Sequence, residues 1–235
     1  MKMERRGFLL VAGALALGAP FAARAAKTKI GIIGSGRVGG AIGAAWVKAG
    51  HEVMFSSRNL EHDKALARQL GGGARAGTPR EAAAFGEVVM VSVPYRALPD
   101  VGKEHGALLK GKVVIDTCNP FPGRDGEIAD WAREKGAGLA SAELLPGARL
   151  VRAFNAIGAA SMGAAHQAPG RVGMPIASDD AKAAEIASRL IRDMGYEPVL
   201  IGGLAMGKYL MPGTALAGER TAEEIRRIAG TLPRS

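Results

Sequence analysis

The fold is decided by one stretch, residues 29–39, which reads KIGIIGSGRVG. Its first half, Lys29 to Ile33, is a short apolar run of the kind that forms a buried parallel strand. The second half is the pattern G-x-G-x-x-G, after which apolar residues recur at helical spacing as far as Gly50. His51 to Ser56 is typical of a second strand. The order of strand, glycine turn, helix and strand predicts the first unit of a doubly wound α/β sheet.

Each glycine of this pattern has a steric reason. Gly34 permits a tight turn, Gly36 lets the main chain approach a pyrophosphate, and Gly39 lets the helix pack closely on the strand. A diphosphate would then lie on the free N–H groups at the N-terminus of the helix. The context therefore predicts a dinucleotide-binding unit of the Rossmann type. The alternative is a flexible loop in a chain that has 34 glycines.

The end of the second strand indicates which dinucleotide is bound. NAD-binding proteins usually carry Asp or Glu at this position, where it hydrogen-bonds the ribose 2′-hydroxyl. This chain has Ser57-Arg58-Asn59 instead. A guanidinium beside a hydroxyl can bind a 2′-phosphate through charge-assisted hydrogen bonds, whereas a carboxylate would repel it. We therefore predict NADP as the cofactor, and the alternative is an Arg58 that only faces solvent.

The rest of the chain is predicted to continue the same sheet. Further strands are predicted at Ala74–Ala76, Val88–Val93, Lys112–Asp116, Leu150–Phe154, Arg171–Ala177 and Pro198–Ile201. Helices are predicted over Leu60–Leu70, after the cap Thr78, after Asp179 or Asp180 as far as Gly195, from Gly202 through Met211, and after the cap Thr221. The segment through Met211 is expected to cover the cleft.

Two strand ends are expected to border the ligand, since open parallel sheets bind ligands outside the carboxyl ends of their strands. These ends are Val93-Pro94-Tyr95 and Asn119-Pro120, in which each proline also ends its strand. We expect both at the nicotinamide half of the dinucleotide. The Tyr95 ring would either stack on the cofactor or lie at the rim of the cleft.

We therefore predict an α/β fold with a Rossmann-type, doubly wound, mostly parallel sheet and a short C-terminal α/β extension. Residues 27–155 would form the NADP-binding core, and residues 156–235 an extension that covers the cofactor cleft within the same compact domain. We find no linker or internal repeat in the sequence after residue 26.

Residues 1–26 are interpreted as a secretory signal peptide. They combine a charged start, an apolar stretch from Gly7 to Phe21 and a small-residue exit at Ala23-Arg24-Ala25. The string Arg5-Arg6-Gly7-Phe8-Leu9 resembles the twin-arginine export signal. This resemblance implies export of the folded protein by the twin-arginine translocation machinery to a bacterial periplasm. A retained membrane anchor and a cytoplasmic protein with a misassigned start codon are the alternatives.

Composition excludes several classes of function. The chain has 48% apolar and 23% charged residues, which is a globular composition, and its net charge is +9. The basic residues form no cluster and aromatic residues make up only 5%, so nucleic-acid binding is not expected. The four histidines and the single Cys118 do not have metal-ligand spacing. We interpret Cys118 as a buried core thiol and His166 as a solvated side chain.

From Lys29 to about Thr214 the sequence resembles the NADPH-dependent deazaflavin (coenzyme F-420) reductase family. The resemblance is carried, in family order, by KIGIIGSGRVG, GHEVMFSSRN, VVMVSVPYRA, VVIDTCNP, LVRAFNAIG and RDMGYEPVLIGGLA. It implies that Ser35 to Val38 hold the pyrophosphate, that Ser57 and Arg58 hold the 2′-phosphate, and that Val93 and Pro94 line the nicotinamide. Asn155, Ile157 and Ala159 fall where the family shapes its hydride-transfer pocket, and Asn155 replaces a histidine of the archaeal enzymes.

The resemblance implies direct hydride transfer between NADPH and a second redox cofactor or small acceptor, of deazaflavin-, flavin- or metal-reductase type. Such a transfer needs no side-chain acid or base, so we predict no catalytic residue, and the spacing of the histidines and Cys118 predicts no metal ligand. The predicted cofactor-binding residues are Gly34, Ser35, Gly36, Arg37, Val38, Gly39, Ser57, Arg58, Asn59, Val93, Pro94, Tyr95, Asn119, Asn155, Ile157 and Ala159.

Two other functions stay open. The first is an NADP-binding sensor or carrier without turnover. The second is a different NADP oxidoreductase, such as a module similar to the cytoplasmic domain of the STEAP metalloreductases, or an imine or keto-acid reductase. The sequence does not decide the oligomeric state, and a homodimer is compatible with it.

Overall fold

The computed structural model describes residues 27–162 and 172–234. The predicted signal peptide, His166 and the first residue of the predicted strand at Arg171 lie outside the described residues.

The described residues form one eight-stranded sheet. Its strands are β1 (Lys29–Ile33), β2 (Glu52–Ser56), β3 (Ala74–Ala76), β4 (Val88–Val91), β5 (Val113–Asp116), β6 (Arg149–Arg152), β7 (Gly173–Ala177) and β8 (Glu197–Gly202). They lie in the order β3-β2-β1-β4-β5-β6-β7-β8. All neighbours are parallel except β6 and β7, which pair antiparallel through Arg152 and Ala177. The predicted doubly wound, mostly parallel sheet is confirmed.

Helices connect most of the strands. They are α1 (Arg37–Ala49), α2 (Leu60–Leu70), α3 (Pro79–Phe85), α4 (Leu98–Leu109), α5 (Pro122–Asp125), α6 (Glu127–Lys135), α7 (Ala137–Leu144), α8 (Ala181–Asp193) and α9 (Ala222–Ala229). Two 3-10 helices span Tyr95–Ala97 and Leu204–Leu210. Helices α1, α2, α3, α8 and α9 were predicted from the sequence, whereas α4 to α7 were not.

Side chains at the helix N-termini explain where several helices begin. The Thr78 hydroxyl accepts from the Glu81 main chain while the Glu81 carboxylate accepts from the Thr78 main chain, which is a capping box. The same reciprocal pair forms between Thr221 and Glu224 at α9. Asp180 caps α8 by accepting from the Ala183 N–H, which decides between the two aspartates that the sequence left open.

The sheet has an apolar core on each face. Because side chains alternate along a strand, Val88 and Met90 of β4 pack in one core and Val89 and Val91 in the other. The first core also contains Trp46 of α1, and α8 contributes to it; the second lies under α4, α6 and α7. This arrangement leaves the carboxyl ends of β1, β2, β4 and β5 together at one edge.

The segment predicted to cover the cleft as a helix has a different position. Its residues 204–210 form a 3-10 helix that packs on α7, where Leu204 joins the second core and Gly207 lies against the Arg152 side chain. The expectation that residues 202–211 cover the cleft is therefore wrong. The loop that follows, with Pro212, Gly213, Ala217 and Gly218, lines the cleft instead.

Candidate functional site

Two cavities open where the parallel strands end. The first has a volume of about 480 Å³ and the second about 530 Å³. They share Gly36, Ser92, Val93 and Pro94, so they meet at the glycine turn. Together they form one elongated cleft at the switch point between β1 and β4, which is where doubly wound sheets bind ligands.

The glycine turn is held by main-chain contacts. Gly34 has a φ of 102°, which favours glycine, and its N–H donates to the Ser56 carbonyl at 2.8 Å. The Ser35 N–H donates to the same carbonyl at 3.0 Å. No side chain of the described residues caps α1, which begins at Arg37. The N–H groups of its first turn are therefore available to an anion in the cleft.

Gly36 and Gly39 differ in the space around them. A Cβ at Gly36 would meet nothing within 4 Å, whereas a Cβ at Gly39 would collide with the Gly34 carbonyl oxygen. We expect Gly39→Ala to lower the free energy of unfolding by about 1–3 kcal/mol, because the helix must move away from the turn. We expect Gly36→Ala to keep the free energy of unfolding of the unmodified protein. It should nevertheless lose dinucleotide affinity, because the methyl group occupies the cleft. Denaturant unfolding and calorimetry measure the two effects, and equal stability losses for both variants would contradict this explanation.

The three residues after β2, Ser57, Arg58 and Asn59, make different contacts. Arg58 is exposed, lines the first cavity and makes no hydrogen bond or ion pair within the described part of the chain. Ser57 lines the same cavity, and its hydroxyl lies 2.8 Å from the Asp63 carboxylate. The Asn59 side chain caps α2 by accepting from the His62 N–H at 3.0 Å. The Arg58 guanidinium thus faces the cleft without a partner from residues 27–162 or 172–234, while Ser57 and Asn59 hold the loop.

The structure brings most of the predicted residues to the cleft. Those in the first cavity are Gly34, Gly36, Ser57, Arg58, Val93 and Pro94. Those in the second cavity are Gly36, Arg37, Val38, Val93, Pro94, Asn119, Asn155, Ile157 and Ala159. The remaining four, Ser35, Gly39, Asn59 and Tyr95, do not line either cavity.

Tyr95 is the clearest correction. Its side chain is fully buried in the second core, and its hydroxyl lies 3.2 Å from the Ser141 hydroxyl of α7. The 3-10 helix that starts at Tyr95 turns the ring inwards after Pro94 ends the extended chain. Burial raises the pKa of the Tyr95 hydroxyl well above its ordinary value. The ring therefore neither stacks on the cofactor nor lies at the rim of the cleft, and both expectations, with the assignment of Tyr95 as a cofactor-binding residue, are wrong.

The second cavity contains an asparagine whose side chain has no partner. Asn155 is 1% exposed, and neither its Oδ1 nor its Nδ2 makes a hydrogen bond within the described residues. Its carbonyl accepts from the Asn119 Nδ2 at 2.8 Å, which fixes the main chain. The preceding Phe154 has a φ of 63°, a left-handed conformation that is strained for a bulky residue. A strained main chain and an unpaired amide at one position are typical of ligand-binding sites.

A buried ion pair lies beneath this cavity. The Arg152 Nη1 lies 2.5 Å from the Asp116 carboxylate, and both side chains are fully buried. The Arg152 Nη2 donates to the Cys118 carbonyl at 3.1 Å and to the Asn119 Oδ1 at 3.4 Å. Arg152 therefore connects the end of β5 to Asn119, and through it to Asn155.

Cys118 takes no part in this cleft. Its thiol is buried and lies 3.5 Å from the Val91 carbonyl. Burial, with the Asp116 carboxylate nearby, raises the pKa of Cys118 well above its ordinary value. The thiol therefore stays protonated, and the interpretation as a core thiol is confirmed.

One wall of the first cavity was not predicted from the sequence. This wall is formed by α4, with Asp100, Val101, Glu104 and His105. His105 is largely buried, its Nδ1 has no partner among the described residues, and its Nε2 lies 3.7 Å from the Glu104 carboxylate. The spacing of Leu98, Val101 and His105 on one helix face is the signal that could have identified this wall.

Two features, a metal-binding cluster and a membrane-spanning helix, are not found among residues 27–162 and 172–234. No group of three or more His, Cys, Asp or Glu side chains there is arranged to hold a metal ion. No helix in these ranges combines the length and the apolar character needed to cross a membrane.

Comparison with known proteins agrees with this geometry. Residues 29–120 match the family model described as NADP oxidoreductase, coenzyme F420-dependent. The matched segment runs from β1 past the end of β5 and contains the glycine turn, Arg58, Pro94 and Asn119. The family resemblance predicted from the sequence is supported for this segment.

A curated relative and two solved structures extend the comparison. The chain is 30% identical over 183 residues to metalloreductase STEAP3 of Rattus norvegicus, which covers 77% of this chain but 35% of that protein. A hypothetical protein of Sinorhizobium meliloti has a TM-score of 0.67 at 25% identity, covering 81% of this chain and 93% of that one. A structure titled as a putative F420-dependent NADP-reductase of Arthrobacter has a TM-score of 0.65 at 23% identity, covering 81% and 97%. Because its identity is only 23%, this last similarity shows the fold alone.

Proposed function

We propose that this protein is an NADP-dependent oxidoreductase that transfers a hydride between NADPH and a second redox cofactor or a small acceptor. The observation that carries the proposal is the Arg58 guanidinium, which has no partner among the described residues and faces the same cleft as the N-terminus of α1, which no described side chain caps. The match of residues 29–120 to an NADP oxidoreductase family supports it.

The phosphate half of the cleft fits NADP. The N–H groups of Arg37 and Val38 would hold the pyrophosphate, and the open space at Gly36 lets it approach the main chain. The Arg58 guanidinium would bind the 2′-phosphate by charge-assisted hydrogen bonds. Two separate anion sites in one cleft match a dinucleotide with phosphate at both positions.

The other half of the cleft fits a planar ring with polar substituents. Val93 and Pro94 give it an apolar wall, and the Asn155 amide, which has no partner within the described part of the chain, gives it a donor and an acceptor. A buried amide without a partner costs about 1–3 kcal/mol, which a ligand carboxamide or ring amide would offset. The bound NADPH would supply the hydride, and these side chains would orient the ring and exclude water.

None of the described side chains in this half could move a proton. Among the described residues that line the second cavity, the ionisable ones are Arg37 and Arg124, and arginine stays protonated at neutral pH. This lining supports hydride transfer without general acid or base catalysis. We therefore propose no catalytic residue, and we expect the acceptor to exchange any proton with solvent.

Binding and turnover by the full chain test the proposal. We expect calorimetry to show one NADPH bound per chain, with weaker binding of NADH. We expect the loss of NADPH absorbance with at least one acceptor among a deazaflavin, a flavin and a ferric chelate. NADPH binding without turnover of any of the three would instead favour a sensor or carrier, and the absence of heat with both NADPH and NADP would overturn the assignment of the cofactor.

We also propose that the protein is exported by the twin-arginine machinery to the periplasm. The order of charged doublet, apolar stretch and small-residue exit in residues 1–26 supports this proposal. Cell fractionation tests it, because export predicts a shortened chain in the periplasmic fraction. A full-length chain in the cytoplasm would contradict it.

A further inference from the structure

We propose that Asp63 is a positioning residue that ties the glycine turn to the Arg58 loop and so fixes the distance between the two phosphate sites of the cleft. The inference rests on the proposed function, because it concerns how the two halves of one NADP molecule are held.

The contacts of Asp63 carry the inference. Asp63 lies in the first turn of α2 and its side chain is fully buried. Its Oδ1 accepts from the hydroxyl of Ser35 in the glycine turn, and its Oδ2 accepts from the hydroxyl of Ser57 at 2.8 Å. Each oxygen of one carboxylate thus holds a different loop.

Asp63 makes no ion pair with lysine or arginine within the described ranges. The ionisable side chain next to it is His62, whose Nδ1 lies 3.4 Å from Oδ1 and whose side chain is 56% exposed. A buried carboxylate that lacks a cationic partner is costly, so its stabilisation depends on the two hydroxyl groups. The two hydrogen bonds that connect the loops therefore also stabilise the buried carboxylate.

The direction of these hydrogen bonds changes the role of Ser57. A hydroxyl has one proton, and the 2.8 Å contact with Asp63 is shorter than the 3.3 Å contact with the Asn59 carbonyl. The Ser57 oxygen in turn accepts from the Asn59 N–H at 3.1 Å. With its proton directed to Asp63, the Ser57 hydroxyl has none to donate to a phosphate. Ser57 therefore holds the loop in place, and Arg58 provides the contact with the 2′-phosphate.

The distance between the loops matters because the pyrophosphate and the 2′-phosphate of NADP are joined through one ribose. A site whose two anion-binding loops already have the matching separation loses less conformational freedom when it binds. Ligands that carry only one of the two groups do not depend on that separation. The tie should therefore contribute to the affinity for the whole cofactor more than to the affinity for its parts.

Asp63→Asn tests the inference, because it keeps the shape and replaces one acceptor oxygen with a donor. We expect the NADPH affinity to fall about tenfold, as for the loss of one hydrogen bond to a charged group. We expect the affinities for ADP and for adenosine 2′-phosphate, measured by calorimetry, to change less than about threefold. Ser57→Ala removes the other end of the tie from a partly exposed position and should give the same pattern.

Arg58→Ala is the matched control, since it should lose affinity for NADPH and adenosine 2′-phosphate but keep its affinity for ADP. Equal losses of NADPH, ADP and adenosine 2′-phosphate in Asp63→Asn and Ser57→Ala would show that Asp63 only supports the fold and would overturn the inference. Unchanged NADPH affinity in both variants would overturn it too. In either case the unmodified protein still binds NADPH, whereas failure of the proposed function would leave the unmodified protein without NADPH binding.

Discussion

Replacement of Arg152 by methionine is expected to lower the free energy of unfolding by about 3–5 kcal/mol, because it leaves the Asp116 carboxylate buried without its partner. The two side chains are fully buried and lie 2.5 Å apart. Methionine fills much of the volume of arginine, so the lost charge rather than a cavity decides the effect. Denaturant unfolding of the full chain measures it.

Two further variants distinguish the loss of the buried ion pair from a nonspecific effect of replacing an arginine. Arg149→Met breaks the pair with Asp180, in which both side chains are about one-third exposed, and its effect should be much smaller because solvent screens the charges. Combining Arg152→Met with Asp116→Leu should recover a large part of the lost stability, since no unpaired charge stays buried. A double variant as unstable as Arg152→Met alone would contradict this account.

Arg58→Ala is expected to reduce the preference for NADPH over NADH by about ten- to hundredfold. One hydrogen bond to a charged group contributes about 1.5–3 kcal/mol to NADPH binding. NADH has no 2′-phosphate, so it does not make this bond and its affinity should not change. Arg58 has no competing partner among the described residues, so this contact should be available in full. Dissociation constants of both cofactors, measured with the same preparation, give the ratio.

Arg37→Ala is the matched control for this experiment. Arg37 is also exposed, but it begins α1 and lines the second cavity, where the pyrophosphate shared by both cofactors would lie. Its loss should weaken NADPH and NADH by similar factors and leave their ratio unchanged. If Arg58→Ala also weakened both cofactors equally, Arg58 would not bind the 2′-phosphate.

Local patterns in the sequence were enough to predict most of the sheet. The strand, glycine turn and helix of residues 29–49 are encoded by neighbouring residues, as is the capping box of Thr78 and Glu81. The ends of the strands were predicted less accurately. Strand β4 ends at Val91 rather than Val93, and β6 ends at Arg152 rather than Phe154. The left-handed Phe154 shows why β6 is shorter, because this conformation does not continue a strand.

Contacts between distant residues could not be predicted in this way. The inward position of Tyr95 depends on Ser141, which is 46 residues away, and the role of Asp63 depends on Ser35, which is 28 residues away. Neither pair has a local pattern. The same holds for Asn155, whose lack of a partner among the described residues is visible only once the surrounding chain has been placed.

The antiparallel step between β6 and β7 separates the phosphate sites from the last two strands of the sheet. The two strands share a single register pair, formed by Arg152 and Ala177, and the direction of the sheet reverses there. The carboxyl ends of β7 and β8 consequently point to the opposite rim from the glycine turn and Arg58. The phosphate sites therefore depend on the chain that follows β1 and β2, and the strands after the reversal contribute no strand end to them.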